Sequence, residues 1–527
     1  MGQTLPKPVL STVLERSSCK DFRIGLAEMN GFRGSMEDAH IAYTSDGWGY
    51  FGVLDGHGGA ACSAWCAQRL REKLTQGGCP VDDAAAKKLI LEVDAEFLET
   101  KQGSGSTAAM CIVRAPVAPG GKHKLHVINA GDSRVILSAA DGSIIDGGGT
   151  DQGLSNDHKP DVPSERERIY RCGGTVEDGG MGGCARVNGN LAVSRGFGDA
   201  DCKLTGGPRQ EDRPVTCDPE QGHFECDATD FLLIVCDGVS EGDFPNPQVC
   251  QLAAEVLQET NGDAAAACEA ICHRAVETNS RDNISAMIVL MGNPSGEVGH
   301  NRQFNPGQVA TCDDSGYNDA YVAMCERAGL GLADAVEMRY ELLNGRRGTP
   351  SAADDDEEEL DKIGDPAGTE GSDERRQFFE DWAAEKEAGG GGGGGGGPGG
   401  MDPMAALQAM AAGGGGPGGA PGGQAQMMQM LMGMMQQQGG GGMPPGMMGG
   451  GMPQPEDGRR VRVADLASLQ ASVAQHPALE WDERMATLAS AEGIVKTDDP
   501  SDGTTHVRFP PPVSIAAWLP TDALNDF

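Results

Sequence analysis

Short apolar runs that end at an aspartate recur along the chain. Residues 50–54 are mostly apolar and end at Asp55-Gly56, and the apolar residues 231–236 end at Asp237-Gly238. Such runs predict short buried strands that end in turns. A single Asp-Gly after a strand indicates no more than a turn. Its repetition in two strands favours a functional role for both carboxylates.

A third carboxylate, Asp282, stands just before the apolar run at 284–290. Buried carboxylates that meet at strand ends repel one another unless protons or cations lie between them. A shared metal site is the simplest cause of this pattern, because hard divalent cations take oxygen ligands. We therefore predict that Asp55, Asp237 and Asp282 bind Mg²⁺ or Mn²⁺.

Polar residues near these strand ends complete a candidate site for phosphoester hydrolysis. Glu37 and Asp38 could hold metal-bound waters in a second shell. Arg33 could bind phosphate oxygens through its forked guanidinium, or form only a surface salt bridge. His57 could protonate the leaving oxygen, or be a turn histidine bonded to a ligand carboxylate. Two metals sharing Asp55 would activate a bridging water for in-line attack at phosphorus.

Helices separate the predicted strands. Apolar residues at helical spacing predict amphipathic helices over 60–75, 82–100, 245–258 and 263–279. Many short strands bracketed by helices indicate an α+β fold with a two-sheet core covered by helices. Further along, six consecutive acidic residues at 354–359 predict a solvated linker.

Changes in composition divide the chain into five segments. The glycine density after residue 388 costs too much conformational entropy for a packed core, which predicts a flexible tether there. We predict an N-terminal arm (1–19), a catalytic domain (20–293), a helical and acidic extension (294–388), a disordered Gly/Met/Gln-rich linker (389–456) and a small β-barrel (457–527).

The chain is strongly acidic, with 78 acidic and 41 basic residues among 527 and a formal charge of -37. This charge argues against a nucleic-acid partner. The 16 cysteines include no Cys-x-x-Cys pair, and no apolar run could span a membrane. We expect a monomeric protein of the cytoplasm, and also of the nucleus. Gly2 could be myristoylated, although Pro6 stands where the pattern has Ser or Thr.

Eight motifs within residues 20–293 resemble, in order, those of the metal-dependent (PPM, type 2C) serine/threonine protein phosphatases. Each motif is weak alone, but eight in order are specific. They are Arg33-x-x-Met36-Glu37-Asp38, Asp55-Gly56-His57-Gly58-Gly59, Gly105-Ser106-Thr107-Ala108, Ala130-Gly131-Asp132-Ser133-Arg134, Asp157-His158-Lys159-Pro160, the run at 187–195, Asp237-Gly238 and Asp282-Asn283.

The resemblance implies an α/β/β/α sandwich of two antiparallel sheets with a binuclear Mg/Mn site, and a third, weaker ion. It assigns phosphate binding to Arg33, the general acid to His57 and the third ion to Asp157. A flap that faces the substrate is implied near 199–214. Glu241 stands where many members have a shorter aspartate. The implied metal ligands are Asp55, the Gly56 carbonyl, Asp237, Asp282 and, through water, Glu37.

The end of the chain resembles the Src-homology-three-like repeats of mind-bomb-type ubiquitin ligases. This resemblance implies a module that binds a peptide or scaffold. The residues that carry it are Val461-Arg462-Val463, Leu469-Gln470, Trp481, Met485, Gly493-Ile494-Val495, Asp502-Gly503, Val507-Arg508-Phe509 and Trp518-x-Pro520.

Together these features favour an Mg/Mn-dependent enzyme that dephosphorylates phosphoserine and phosphothreonine in proteins. One alternative is a catalytically weak, phosphatase-like scaffold that binds phosphoproteins and uses its tail for interaction. A scaffold would be expected to have lost Asp55, Asp237 or Asp282, and all three are present. Another alternative, a metal-dependent phosphomonoesterase for small molecules, is disfavoured only by the resemblance.

Overall fold

The computed structural model describes residues 4–179, 183–203, 206–207, 209, 212–293, 296, 298–347, 354–387, 460–475, 488, 491–499, 504–508 and 516–526. The chain divides into two units, Met1–Ala406 and Leu407–Phe527. The linker predicted at 389–456 lies outside the described residues. Among the helices that the structure describes, none combines the length and apolar character needed to cross a bilayer.

Most of the strands belong to the first unit. They are β1 (Val9–Ser18), β2 (Phe22–Gly31), β3 (Ala39–Ser45), β4 (Trp48–Leu54), β5 (Gly56–His57), β6 (Gly105–Ser106), β7 (Ala108–Arg114), β8 (His123–Ala130), β9 (Arg134–Ser138), β10 (Val176–Glu177), β11 (Arg186–Val187), β12 (Phe197–Gly198), β13 (Glu220–Cys226), β14 (Phe231–Val235), β15 (Ile284–Met291) and β16 (Gly299–Asn305).

The helices of this unit fall between strands and in a run near its end. They are α1 (Ala61–Gly77), α2 (Asp83–Glu99), α3 (Pro163–Arg171), α4 (Asp237–Ser240), α5 (Asn246–Glu259), α6 (Ala264–Glu277), α7 (Ser315–Arg327), α8 (Leu332–Arg346), α9 (Asp354–Ile363) and α10 (Asp373–Glu387).

Two antiparallel sheets form the centre of the first unit. Sheet A has the strand order β16-β1-β2-β15-β14-β9, and sheet B has the order β13-β8-β7-β4-β3. The predicted two-sheet α+β core is therefore confirmed. The segment expected as an N-terminal arm contains β1, which lies between β16 and β2 in sheet A.

Alternating residues on each strand face two different apolar layers. On β4, Phe51 and Val53 pack between the sheets, whereas Tyr50 and Leu54 pack against α1 and α2. The same alternation on β14 places Leu232 between the sheets and its neighbours against α5 and α6. Because both faces of these strands are buried, their sequences are continuous apolar runs. The layers follow the order helices, sheet A, sheet B, helices.

Helices α7 to α10 form a further layer on β1. Their shared core includes Val9, Tyr321, Tyr340 and Phe379. The prediction of a solvated linker at 354–359 is wrong, because these residues begin α9. Glu359 is fully buried, accepts hydrogen bonds from Arg339 and is held at the core of this layer. A run of acids can therefore form a packed helix when one carboxylate meets a buried guanidinium.

The second unit contains one antiparallel sheet and a helix. Its elements are β17 (Arg460–Val463), α11 (Leu466–Gln475), β18 (Glu492–Asp499), β19 (Thr504–Arg508), β20 (Ala516–Pro520) and β21 (Leu524–Asp526). The strand order is β20-β19-β18-β17-β21. Closure of this sheet into a barrel stays a prediction, and Trp481 and Met485 lie outside the described residues.

A buried ion network supports the segment that leads from Arg195 to β12. The carboxylate of Glu165 accepts hydrogen bonds from Arg168 Nη1 (2.6 Å), Arg195 Nη2 (2.6 Å) and Ser194 Oγ (2.5 Å). Burial alone would raise the pKa of Glu165, but the two guanidiniums and Ser194 lower it to about 2. The charged form of Glu165 therefore stabilises the fold.

We expect Glu165→Gln to destabilise the first unit by about 3–5 kcal/mol, because it leaves two partly buried guanidiniums without their counter-charge. The exposed neighbour supplies a matched control, and Glu167→Gln should change stability by less than about 0.5 kcal/mol. Urea unfolding followed by circular dichroism measures both. Since the folded pKa is lowered from 4.5 to about 2, the difference between wild type and Glu165→Gln should shrink as the pH falls through that range. A difference that is absent at neutral pH would contradict this role.

Candidate active site

Three predicted metal ligands meet where the two sheets end. Asp55 follows β4 of sheet B, whereas Asp237 follows β14 and Asp282 precedes β15 in sheet A. Because β14 and β15 are antiparallel neighbours, the end of one lies beside the start of the other. One carboxylate oxygen from each of Asp237, Asp282 and Glu241 lies within 4.8 Å of the others. Asp55 is close enough to share a hydrogen bond with Asp237.

The carboxylates of this cluster raise one another's pKa values. Burial raises the pKa of Asp55 well above its usual range, and the carboxylates of Asp237 and Asp38 raise it further. Burial also raises the pKa of Asp237, and the charge of Asp282 adds to this rise. Among the described residues, Oδ1 of Asp237 and Oδ1 of Asp38 are buried without a hydrogen-bond partner. Buried acceptors of this kind suit a divalent cation.

Glu37 and Asp38 lie at the edge of the cluster. Glu37 Oε2 accepts a hydrogen bond from the backbone N–H of Gly59 (3.1 Å), which fixes its carboxylate beside the turn after β4. Asp38 is 2% exposed and accepts a hydrogen bond from Ser285 Oγ (2.7 Å). Burial, together with neighbouring carboxylates, raises the pKa of Asp38 to about 7. The side chains of Glu37 and Asp38 therefore lie near the predicted metal ligands.

The turn after β4 brings Gly56 against Glu37. A Cβ added to Gly56 would lie 2.1 Å from the carbonyl oxygen of Glu37, so only glycine fits there. The short strand β5 pairs with β6, which holds the Gly56 backbone next to Asp55. The sequence therefore needs glycine here for the close approach of two backbones.

Arg33 lies at the rim of the cluster. Its Nη2 donates to Asp282 Oδ2 (2.5 Å) and its Nε donates to the carbonyl of Arg281 (3.3 Å). The side chain is 41% exposed. The salt bridge foreseen as the simpler interpretation is present, but its partner is a predicted metal ligand rather than a surface residue.

His57 pairs with a residue that sequence reasoning missed. Its Nε2 lies 2.8 Å from Oδ1 of Asp199, which is 9% exposed. A Cβ on Gly105 would lie 2.3 Å from His57 Nε2 and 2.4 Å from the Asp199 carboxyl carbon, so this glycine makes room for the pair. Gly198-Asp199 stands at the start of the expected flap, but a Gly-Asp pair alone does not distinguish a functional aspartate from a turn residue. In the structure Asp199 adopts a positive φ of 52°.

Asp157, to which the resemblance assigns a third ion, and Asp132 both lie in ion pairs. Asp157 forms a bidentate pair with Arg134, at 3.0 Å to Nε and 2.9 Å to Nη2. Its carboxylate is thus engaged by a guanidinium, while Glu241 lies beside Asp237. Asp132 is buried, contacts Lys159 and raises the pKa of Asp55. Asp132 belongs to one of the eight motifs, but the sequence alone assigns it no role.

The extension also reaches the site. Arg327 of α7 donates from Nη2 to the carbonyl of Asp38 (2.8 Å) and from Nε to Glu28 Oε2 (2.8 Å). Glu28 is 2% exposed, and His40 also contacts it. Helix α7 therefore fixes the backbone of a residue in the carboxylate cluster.

Comparison with known proteins indicates the family of the chain. The family model described as Protein phosphatase 2C matches residues 22–284. Human Protein phosphatase 1A is 31% identical over 320 residues, covering 56% of this chain and 77% of the relative. Mouse Protein phosphatase 1B is 30% identical over 320 residues, covering 56% and 76%.

Solved structures are similar over the same part of the chain. A phosphatase of Toxoplasma gondii is 28% identical with a TM-score of 0.49, covering 56% of this chain and 99% of that one. A phosphatase of Mycobacterium smegmatis is 18% identical with a TM-score of 0.34, covering 51% and 98%. The identity and coverage shared with the human and mouse relatives show that the chain belongs to the protein phosphatase 2C family.

Proposed function

We propose that this protein removes phosphate from phosphoserine and phosphothreonine in proteins, using divalent metal ions held by the partly buried carboxylates at the ends of its two sheets. The observation that carries the proposal is the cluster of Asp55, Asp237 and Asp282, in which Oδ1 of Asp237 is buried without a partner and Asp282 is paired with Arg33. Membership of the phosphatase family implies phosphoprotein substrates.

The residues suited to hold the ions are Asp55, the Gly56 carbonyl, Asp237 and Asp282, with Glu37 bound through water and Asp38 behind them. When bound, Mg²⁺ or Mn²⁺ supplies a water acidified enough to attack phosphorus and neutralises charge on the phosphate. Asp157 was expected to hold a third ion. Glu241 is the better candidate, because its carboxylate lies beside Asp237 whereas that of Asp157 faces Arg134.

Arg33 binds the phosphate of the substrate in this proposal. Its guanidinium has five N–H donors, and the hydrogen bonds described above use only Nε and Nη2. Donors therefore remain for phosphate oxygens, in the paired geometry that a guanidinium offers. Partial exposure of the side chain gives a phosphopeptide access to it.

His57 delivers the proton to the leaving group. Its Nε2 is engaged by Asp199, so Nδ1 is the ring nitrogen that can face the serine or threonine oxygen. The carboxylate of Asp199 stabilises the protonated ring and fixes its orientation. Asp199 touches neither substrate nor metal in this arrangement, and is a positioning residue.

A non-catalytic scaffold is the competing function. The described site keeps every carboxylate that ion binding needs, and the His57–Asp199 pair has no evident use in binding alone. These observations favour catalysis.

Replacing one ligand should abolish activity. Asp237→Asn removes the charge of a proposed ion ligand, and we expect turnover of a phosphothreonine peptide to fall by roughly 100-fold or more. Asp227→Asn, on the exposed turn after β13, is the matched control and should retain activity. Phosphate release is measured against Mg²⁺ and Mn²⁺ concentration. Full wild-type activity in excess chelator would contradict the proposal.

The effect of removing the general acid on turnover should depend on the leaving group of the substrate. His57→Ala and Asp199→Asn should both slow the phosphothreonine peptide more than p-nitrophenyl phosphate, because the nitrophenolate leaves without a proton. A positioned acid contributes about 10²–10⁴-fold, so the difference in kcat should be large. His273→Ala on α6 serves as control. Equal losses on both substrates would reject the acid role of His57.

The site lies wholly within the first unit, since its residues run from Arg33 to Asp282. Deletion of 389–527 should therefore leave kcat for p-nitrophenyl phosphate within about twofold of wild type, because every residue of the proposed site belongs to the first unit. Turnover of a protein substrate could change, if the predicted peptide-binding module recruits it. A large loss of kcat on the small substrate would show that the tail is part of the catalytic unit.

A further inference from the structure

A second group of metal-ligating side chains lies on the outer face of sheet B. It consists of Asp83, His126 and His223, one ligand atom of each lying within 4.8 Å of the others. His126 on β8 and His223 on β13 are directly opposite in the antiparallel register. Asp83 is the first residue of α2, which covers this face. The group therefore joins three elements.

The contacts within the group are direct. Asp83 Oδ1 lies 2.7 Å from His223 Nε2 and 3.5 Å from His126 Nε2. The two rings stack with centroids 4.4 Å apart. His126 is buried, whereas His223 and Asp83 are more than half exposed, so the group opens to solvent on one side.

These distances are close to those of a zinc site. Tetrahedral Zn²⁺ with ligands at 2.0–2.1 Å places ligand atoms about 3.3 Å apart. The Asp83–His126 separation already fits, and the exposed Asp83–His223 pair needs to open by a few tenths of an ångström. Two imidazoles and one carboxylate suit zinc and similar transition metals, unlike the catalytic cluster, whose side chains offer only oxygen.

The surroundings support ligation by His126. Burial lowers its pKa, so the ring is neutral and its nitrogen can bind a metal. Gln221 lies alongside, with Oε1 2.9 Å from His126 Nε2, and its Nε2 donates to the Asp83 carbonyl. In this arrangement His126 Nε2 donates its proton to Gln221 Oε1. A bound ion would replace that proton on Nε2, and Gln221 Oε1 would then lie free as a further oxygen ligand. The carboxylates of Asp82 and Asp83 offset the positive end of α2, which would otherwise repel a cation.

We propose that Asp83, His126 and His223 form a Zn²⁺ site, separate from the catalytic carboxylates, that ties the start of α2 to β8 and β13. Strand β13 follows the flap segment, and Asp94 of the same helix holds Lys203 at the start of that segment. A bound ion would stabilise this side of the unit, and the gain would grow with the logarithm of the ion concentration over its dissociation constant.

The experiment is a Zn²⁺ titration of the full chain in saturating Mg²⁺, which occupies the oxygen-ligand centre. Calorimetry gives stoichiometry and affinity, and zinc K-edge absorption distinguishes N/O ligands from the thiolates of the cysteines. We expect one site with N/O ligands. Asp83→Asn and His223→Gln should each weaken it by at least about tenfold. His273→Gln, an exposed histidine elsewhere, should leave it unchanged.

Folding and catalysis provide the check on the variants. Both replaced side chains are exposed, so circular dichroism and Mg²⁺-supported turnover should match wild type. At one Zn²⁺ concentration, the ion should raise the unfolding temperature of wild type and of His273→Gln by the same amount, and that of the two site variants by less. The proposal is overturned if zinc binding is absent, if the absorption spectrum shows sulfur ligands, or if the site variants bind zinc as tightly as the control.

Discussion

Mutual repulsion among partly buried carboxylates is the constraint around which the first unit is built. Asp55, Asp237 and Asp282 meet at the ends of strands from two facing sheets, where the protein replaces much of the water that would otherwise screen their charges. Such a cluster persists only if cations or protons balance it. The cationic side chains beside it, Arg33 and Lys159, already engage Asp282 and Asp132.

The surrounding structure keeps these groups together against that repulsion. The continuous apolar strands of the two sheets bury both faces, so their ends cannot drift apart without exposing the core. Arg327 reaches from the extension to the Asp38 carbonyl, and Glu165 secures the segment before Asp199. The site therefore depends on contacts made far from the carboxylates.

The residues that sequence reasoning identified share one local signal. A short apolar run next to an aspartate marks a strand that delivers a carboxylate to a sheet edge, and this signal identified Asp55, Asp237 and Asp282. Their meeting at one place is a property of the tertiary structure. The repeated pattern indicated it only indirectly, through the need for a shared metal site, and the resemblance to a known family supported it. The antiparallel pairing of β14 with β15 accounts for two of the three.

What the sequence did not reveal are contacts between distant residues. Asp199 is 142 positions from His57, and nothing local distinguishes it from any Gly-Asp turn. Glu359 belongs to an acidic run that predicted exposure to solvent. Its carboxylate is nevertheless buried and paired with the guanidinium of Arg339, 20 positions away. In both cases the role of the residue depends on a partner from another part of the chain. The pattern of a single segment does not show which partner that is.

The central claim is that the carboxylates at the ends of the two sheets bind paired divalent ions. Crystals grown with Mn²⁺ and measured at the manganese absorption edge test it most directly. We expect anomalous peaks within ligand distance of Asp55, Asp237 and Asp282, and we expect Asp55 to bind two of the ions. Manganese found elsewhere, with these three carboxylates bound only to protein and water, would contradict it.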